Sequence, residues 1–200
     1  MKLARGDTLV VASHNPGKVR EIVDLLKPLG LHVFSARDIE IEEPEETEAT
    51  FAGNAALKAR WVADRCGHTA LADDSGLAVT ALDGAPGIHS ARWGGTNKDF
   101  DAAMARVERE LTEKGARDLS AKFVCALALA LPHEEPRIFE GEVHGHLAFP
   151  PRGTNGFGYD PIFIADGNTQ TFGEMEPAAK LAMNHRQRAF DKLVASDIFT

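Results

Sequence analysis

Apolar residues change their period several times along the chain, and each change marks the edge of an element. Leu9-Val10-Val11-Ala12 is a short continuous apolar run, as a buried strand makes. After the polar turn Ser13 to Gly17, Val19, Ile22, Val23, Leu26 and Leu29 fall at helical spacing, and Gly30 is placed to close that helix. His32 to Ser35 reads as a second strand. Residues 40–48 break the pattern with repeated glutamates and read as an exposed acidic loop. Thr50 can cap a helix from Phe51 to about Arg65. Thr69 to Ala72 reads as a strand ending at Asp73-Asp74-Ser75-Gly76, with Leu77 to Val79 continuing extended. Asp83-Gly84-Ala85-Pro86-Gly87 is turn-rich. Asn97 is read as the cap of a helix through Leu111, with Phe100, Ala103, Met104 and Val107 on one face. Lys122 to Leu131 and Arg137 to Phe149 read as long strands joined through Pro132 to Pro136. Pro150 to Asp160 is loop and Pro161 to Ala165 a short strand. Pro177 suits the first turn of a helix, and Phe190, Leu193 and Val194 place a last one.

Early alternation of strands with helices and late pairing of strands predict an α/β protein with a mixed sheet. A chain of 200 residues holds one sizeable core, so a single domain over 1–200 is expected, with the hairpin region of about 120–165 contributing to a second lobe. Hydrophobic residues make up 44% and charged residues 26%, ordinary for a globular protein. A net charge of −8 argues against a general nucleic-acid binder, though a polyanionic small ligand can still bind a local lysine cluster. Cys66 and Cys125 are the only cysteines and form neither a disulfide framework nor a zinc spacing. The apolar runs are too short for a signal segment or a bilayer span, and a cytoplasmic location away from membranes is expected.

Polar clusters sit at the ends of these elements. Ser13-His14-Asn15-Pro16-Gly17-Lys18 lies between a strand and a helix, where backbone N–H groups and the helix dipole favour an anion. It is not a Walker A loop. Asp73-Asp74 follows an apolar strand. Adjacent strand side chains point to opposite faces, so one carboxylate faces a site and the other supports the turn; spacing does not say which. Such a carboxylate can ligate Mg²⁺ or take a proton from water. Glu45 and Glu46 lie in the acidic loop. Asn54 precedes Lys58 by one helical turn, so both can face the same way. Gly153, Gly156 and Gly158 make the loop around Phe157 and Tyr159 permissive. Either ring could stack on a planar base, with Asp160 accepting from base N–H groups. Lys180 and His185-Arg186 add donors near the C-terminus. His144-Gly145-His146 offers two imidazoles without a third ligand and reads as structural.

Together these clusters resemble the inosine-triphosphate pyrophosphatase family, enzymes that remove non-standard purine nucleotides. Ser13 to Lys18 looks like the family's T/S-x-N-x-x-K start. Glu46-Thr47 with Phe51-x-x-Asn54-x-x-x-Lys58 matches a second block. Ala72 to Leu77 with Gly84-Ala85-Pro86-Gly87-Ile88-x-Ser90-Ala91-Arg92 matches the strongest signature, and Gly156 to Pro161 and His185-Arg186 complete the set. The likeness covers nearly the whole chain. Asn184 departs from it, standing where the family usually has Ser before His-Arg.

The resemblance implies an elongated mixed β-sheet with flanking helices, two lobes around a central active-site cleft, and a homodimer. It implies hydrolysis of ITP, dITP and XTP to monophosphate and pyrophosphate, keeping such nucleotides out of DNA and RNA. Glu46 and Asp74 would hold Mg²⁺, and Asp74 would activate water. Asn15, Lys18, Lys58 and Ser75 would hold the triphosphate. Phe157 would stack on the base, and Asp160, Lys180, His185 and Arg186 would surround its edge. Ser13, His14, Pro16, Gly17, Gly158 and Tyr159 would also bind substrate. Two rivals remain: a Maf-like pyrophosphatase for modified pyrimidines, disfavoured by the Phe157 to Asp160 block and His185-Arg186, and a nucleotide sensor without catalysis. A haloacid-type phosphatase is disfavoured because no D-x-D follows the first strand.

Overall fold

Long apolar runs form strands and the helical-period segments form helices. The computed structural model describes residues 2–199. In chain order the elements are β1 (Thr8–Val11), α1 (Pro16–Leu26), β2 (His32–Ser35), α2 (Phe51–Cys66), β3 (Thr69–Val79), α3 (Phe100–Glu113), β4 (Ser120–Ala130), β5 (Arg137–Leu147), β6 (Phe163–Ala165), α4 (Pro177–Leu181) and α5 (His185–Val194). The six strands hydrogen-bond in the order β2-β1-β3-β4-β5-β6. β1 runs parallel to β2 and to β3, whereas β5 and β6 are antiparallel. This is the mixed α/β fold that the patterning predicts.

Several boundaries differ from the sequence reading, and three of them have a clear local reason. Asp73 to Gly76 do not end a strand: β3 runs unbroken from Thr69 to Val79. Gly76 makes this possible, because a Cβ there would collide with the Ser90 hydroxyl and the Gly87 carbonyl. Helix α3 is capped by Asp99, not Asn97; its carboxylate accepts from the Asp101 and Ala102 N–H groups. Pro161 sits in a 3-10 turn, Asp160–Ile162, and β6 begins only at Phe163, since proline has no N–H for the ladder.

The chain divides into two compact units, the first comprising Met1–Asp74, Cys125–Gly141 and Arg186–Thr200, the second Ser75–Val124 and Glu142–His185. In the first, small side chains dominate. Ala70 and Ala72 of β3 and Ala126, Ala128 and Ala130 of β4 share a core with Ala55, Ala59 and Ala63 of α2. Alanines let a helix lie close to a sheet, so a polar side chain on the flank of α2, Lys58, can reach Asp74 in the middle of β3. The second unit is built on larger residues: Met104, Val107 and Leu111 of α3 pack with Leu77, Val79, Phe123, Tyr159, Phe163 and Phe172. Phe163 lies 4.8 Å from Phe123 and 5.1 Å from Phe172, ring centre to ring centre. Among the described residues no helix is long and apolar enough to cross a membrane.

Candidate active site

The β1–α1 turn is organised by its own side chains. Asn15 caps α1: its Oδ1 accepts from the Gly17 N–H (2.9 Å) and the Lys18 N–H (3.1 Å), and Pro16 takes the first helical position, where no N–H is needed. Buried Ser13 accepts from the Asn15 N–H at 3.2 Å. The His14 N–H donates to Glu43 at 2.9 Å, tying the turn to the acidic loop. Lys18, in the first turn of α1, places Nζ 2.8 Å from Asp73 Oδ1.

Asp73 and Asp74 are adjacent and buried, yet they have different partners. Asp73 Oδ2 accepts from Arg186 Nε (2.8 Å) and from the Cys125 thiol (3.1 Å), while Oδ1 meets Lys18. Burial opposes the charge on Asp73, but Arg186 and Lys18 outweigh it and hold the carboxyl well below the usual range. Asp73 is therefore a fixed anion whose oxygens are both engaged. Arg186, fully buried, also donates through Nη1 to Glu21 of α1. Burial, together with the neighbouring Asp73 carboxylate, pushes the Cys125 thiol up.

Asp74 Oδ1 accepts from Lys58 Nζ at 2.7 Å, and the same ammonium donates to Glu46 Oε1 at 2.7 Å. Burial pushes the Asp74 carboxyl up and the nearby Glu46 charge adds to this, against the pull of Lys58 and Lys18. Burial also opposes ionisation of Glu46, but Lys58 prevails and holds it low. Burial opposes the charge on Lys58, but Asp74 and Glu46 outweigh it and favour the ammonium. Asp74 Oδ2 is buried without a hydrogen-bond partner. Leaving a carboxylate oxygen orphaned is costly. One orphaned oxygen beside a second carboxylate is the donor set that Mg²⁺ takes when phosphates and water complete its shell. The residues present fit that ion.

The second unit holds the other cluster. The Lys180 ammonium lies 2.6 Å from Asp160 Oδ2 and 4.6 Å from the Phe157 ring centre. The same Asp160 oxygen accepts from the Phe157 N–H at 2.8 Å, so one carboxylate orients both the loop and the lysine. Gly156 has φ +74°, and a side chain there would strike Asp160 Oδ2. Gly158, also at positive φ, packs beside Phe100. His185 stacks on Phe123, ring centres 4.9 Å apart and nearly parallel. Ser75, half-buried on β3, directly follows Asp74.

Two residues sit differently from the sequence expectation. Tyr159 is not open for stacking: its ring is 2% exposed, packs edge-on against Phe100, and its hydroxyl donates to the Ser90 carbonyl at 2.8 Å. Phe157, half-buried, is the aromatic of that loop a ligand can reach. Arg186, read as a donor to the base, gives its guanidinium to Asp73 and Glu21 in the first unit, because a fully buried guanidinium needs carboxylate partners. Sequence reasoning missed Glu21, Cys125 and Phe123. Glu21 lies one turn after Lys18, a spacing visible in the sequence, but its partner is 165 residues away. An apolar strand context gave Cys125 and Phe123 no polar signal at all.

The model of the Ham1 family matches residues 9–196. The dITP/XTP pyrophosphatase of Rhodospirillum centenum is 61% identical over 191 residues, covering 95% of this chain and 94% of that protein. Its counterpart from Caulobacter vibrioides is 58% identical, covering 96% of this chain and 98% of its own. Among solved structures, a HAM1 protein from Coxiella burnetii superposes with a TM-score of 0.86 at 39% identity, covering 94% of this chain and 96% of that one. The nucleoside-triphosphatase, or dITP/XTP pyrophosphatase, of Mycobacterium abscessus gives 0.75 at 42% identity, covering 94% of this chain and all of its own. Motifs, fold and relatives agree, and the chain belongs to the Ham1 family.

Proposed function

We propose that this protein hydrolyses non-standard purine nucleoside triphosphates, ITP, dITP and XTP, to the monophosphate and pyrophosphate, and so keeps them out of DNA and RNA. The observation that carries the reading is the orphaned Asp74 Oδ2 set beside Glu46 and Lys58. The named activity of relatives above 50% identity supports the same chemistry.

The first unit's cluster takes the triphosphate and the metal. Glu46 and Asp74 would hold Mg²⁺, which when bound would supply charge neutralisation to the phosphate oxygens. Asp74 is the catalytic base. Its carboxylate accepts the proton of the attacking water, whose oxygen bonds to the α phosphorus. The α–β anhydride bond breaks and its electron pair leaves with pyrophosphate. Lys18, held by Asp73, and Lys58, held by Glu46 and Asp74, place positive charge where phosphate charge grows. The turn from Ser13 to Gly17 supplies neutral donors to those phosphates. Because the lysines are already fixed by carboxylates, little reorganisation is needed at the moment of reaction.

The second unit's cluster takes the base. Phe157 stacks on it, with the Gly158 backbone giving close approach and Tyr159 buttressing the loop from the core. Lys180 and His185 present donors to a 6-keto oxygen, and Asp160 holds Lys180 in place. Hypoxanthine and xanthine meet these donors with an acceptor. Adenine meets them with an amino group, leaving donors face to face without a partner. The buried commitment of Arg186 to Asp73 and Glu21 assigns it to charge balance around Lys18.

A substrate panel tests the reading: dITP, XTP, dATP and a modified pyrimidine triphosphate, with Mg²⁺ present. Hydrolysis favouring dITP and XTP is the expected result. Preference for the pyrimidine would support a Maf-like enzyme, and binding without hydrolysis a sensor. The same proposal extends to a homodimer, checked by sedimentation equilibrium, and to work in the cytoplasm, checked by fractionation.

A further inference from the structure

Residues 41–48 carry the glutamate assigned to the metal, yet they form neither helix nor strand. Glu42, Glu43, Glu45, Glu46 and Glu48 repel one another, so something other than local structure must hold the segment in place. Helix α2 provides it. Asn54, Lys58 and Trp61 are spaced i, i+4 and i+7 and share one face of that helix. They engage the loop in reverse order: Asn54 reaches Glu48, Lys58 reaches Glu46, and Trp61 Nε1 donates to the Glu42 carbonyl at 2.9 Å.

The Asn54 contact is the most directional of these. Its Oδ1 accepts from the Glu48 N–H at 3.0 Å, and its Nδ2 donates to the Glu48 carbonyl at 3.3 Å. One buried amide thus pairs with both backbone groups of one residue, as a neighbouring strand would. Lysine is a flexible point charge that follows a carboxylate wherever it lies. The amide instead fixes the register of the loop. Gly53, next to it, admits the loop: a Cβ there would lie 2.7 Å from the Glu48 Cβ.

We propose that Asn54 is a positioning residue for Glu46, with Gly53 giving the loop its close approach to α2. This rests on the reading that Glu46 is a metal ligand. Asn54 touches neither metal nor substrate; it sets where the ligand-bearing loop lies, as residues behind a ligand commonly do.

The test is Mn²⁺ binding to the full chain without nucleotide, followed by electron paramagnetic resonance, with melting temperature measured alongside. The variants are Asn54→Ala, Asn54→Asp, Gly53→Ala, Glu46→Gln and, as a control for helix stability, Ala59→Gly. Weakening of Mn²⁺ affinity by roughly tenfold or more is expected for Asn54→Ala and Gly53→Ala. Asn54→Asp keeps the acceptor but loses the donor and should fall between. Alanine favours a helix over glycine, so a loss of affinity in Gly53→Ala cannot come from a weaker helix. Ala59→Gly should lower the melting temperature and leave affinity alone. If Glu46→Gln weakens binding while the Asn54 and Gly53 variants match the parent, the inference is overturned and the ligand assignment stands. Equal weakening by Ala59→Gly also overturns it, in favour of general loosening of α2. If Glu46→Gln itself matches the parent, the ligand assignment fails and the inference goes with it. Should Asn54→Ala not fold, Gly53→Ala and Asn54→Asp decide.

Discussion

Asp73 accepts from Arg186 and Cys125 on one oxygen and meets Lys18 on the other, whereas Asp74 meets Lys58 on one oxygen and nothing on the second. Two neighbouring carboxylates with the same chemistry thereby do different work. Nothing in their sequence spacing could separate them, because the deciding partners come from α1, β4 and α5. Removing one member of a buried ion pair strands the other, so Arg186→Ala should cost about 3–5 kcal/mol in urea unfolding. Asp73→Asn strands Arg186 likewise, and here the sign with pH is fixed. Asp73 is held well below its ordinary value of 3.8, so its stabilisation is present above that value and is lost as pH falls through the folded one. The stability gap between parent and Asp73→Asn, measured on metal-free protein, should therefore narrow below about pH 4. An equal gap at every pH would rule out the charged Asp73 described above. Cys125 is buried with its thiol pushed up, while Cys66 is half-exposed. Iodoacetamide at neutral pH should label Cys66 in the folded protein and Cys125 only on unfolding, as mass spectrometry would record.

At the level of elements, regular structure was readable from period and punctuation, and the lapses have local causes. Thr50 does cap α2 and Gly30 does close the segment after α1 in a left-handed conformation. Asn97 and Asp99 are both good caps, and the local turn in which the Asp99 N–H donates to the Gly94 carbonyl accompanies the choice of Asp99. Pro161 was read into a strand although its missing N–H argues for the turn it occupies. In the Phe157 loop the glycines are specific: Gly156 leaves room for Asp160, which in turn holds Lys180. Gly156→Ala forces that carboxylate aside in a backbone region that side chains avoid. The preference for dITP over dATP, as a ratio of kcat/KM values, should fall by roughly tenfold or more, a displacement of this size being enough. An unchanged ratio would remove Asp160 and Lys180 from base choice.

For the whole molecule, the order of polar clusters along the chain pointed to the family, and the mixed α/β fold followed from alternation. The grouping into triphosphate and base clusters came only with the family resemblance, since spacing alone does not say which distant chain segments join the same compact unit. Residues 73 and 186 are 113 positions apart yet hydrogen-bonded. The decisive experiment is product analysis of dITP hydrolysis by the parent and by Asp74→Asn, counting pyrophosphate against orthophosphate. Pyrophosphate in step with dIMP from the parent, with a loss of about a hundredfold or more in a folded Asp74→Asn, is the predicted outcome. Orthophosphate as the first product, or an Asp74→Asn variant as fast as its parent, would contradict the assignment of Asp74 as the base for α–β cleavage.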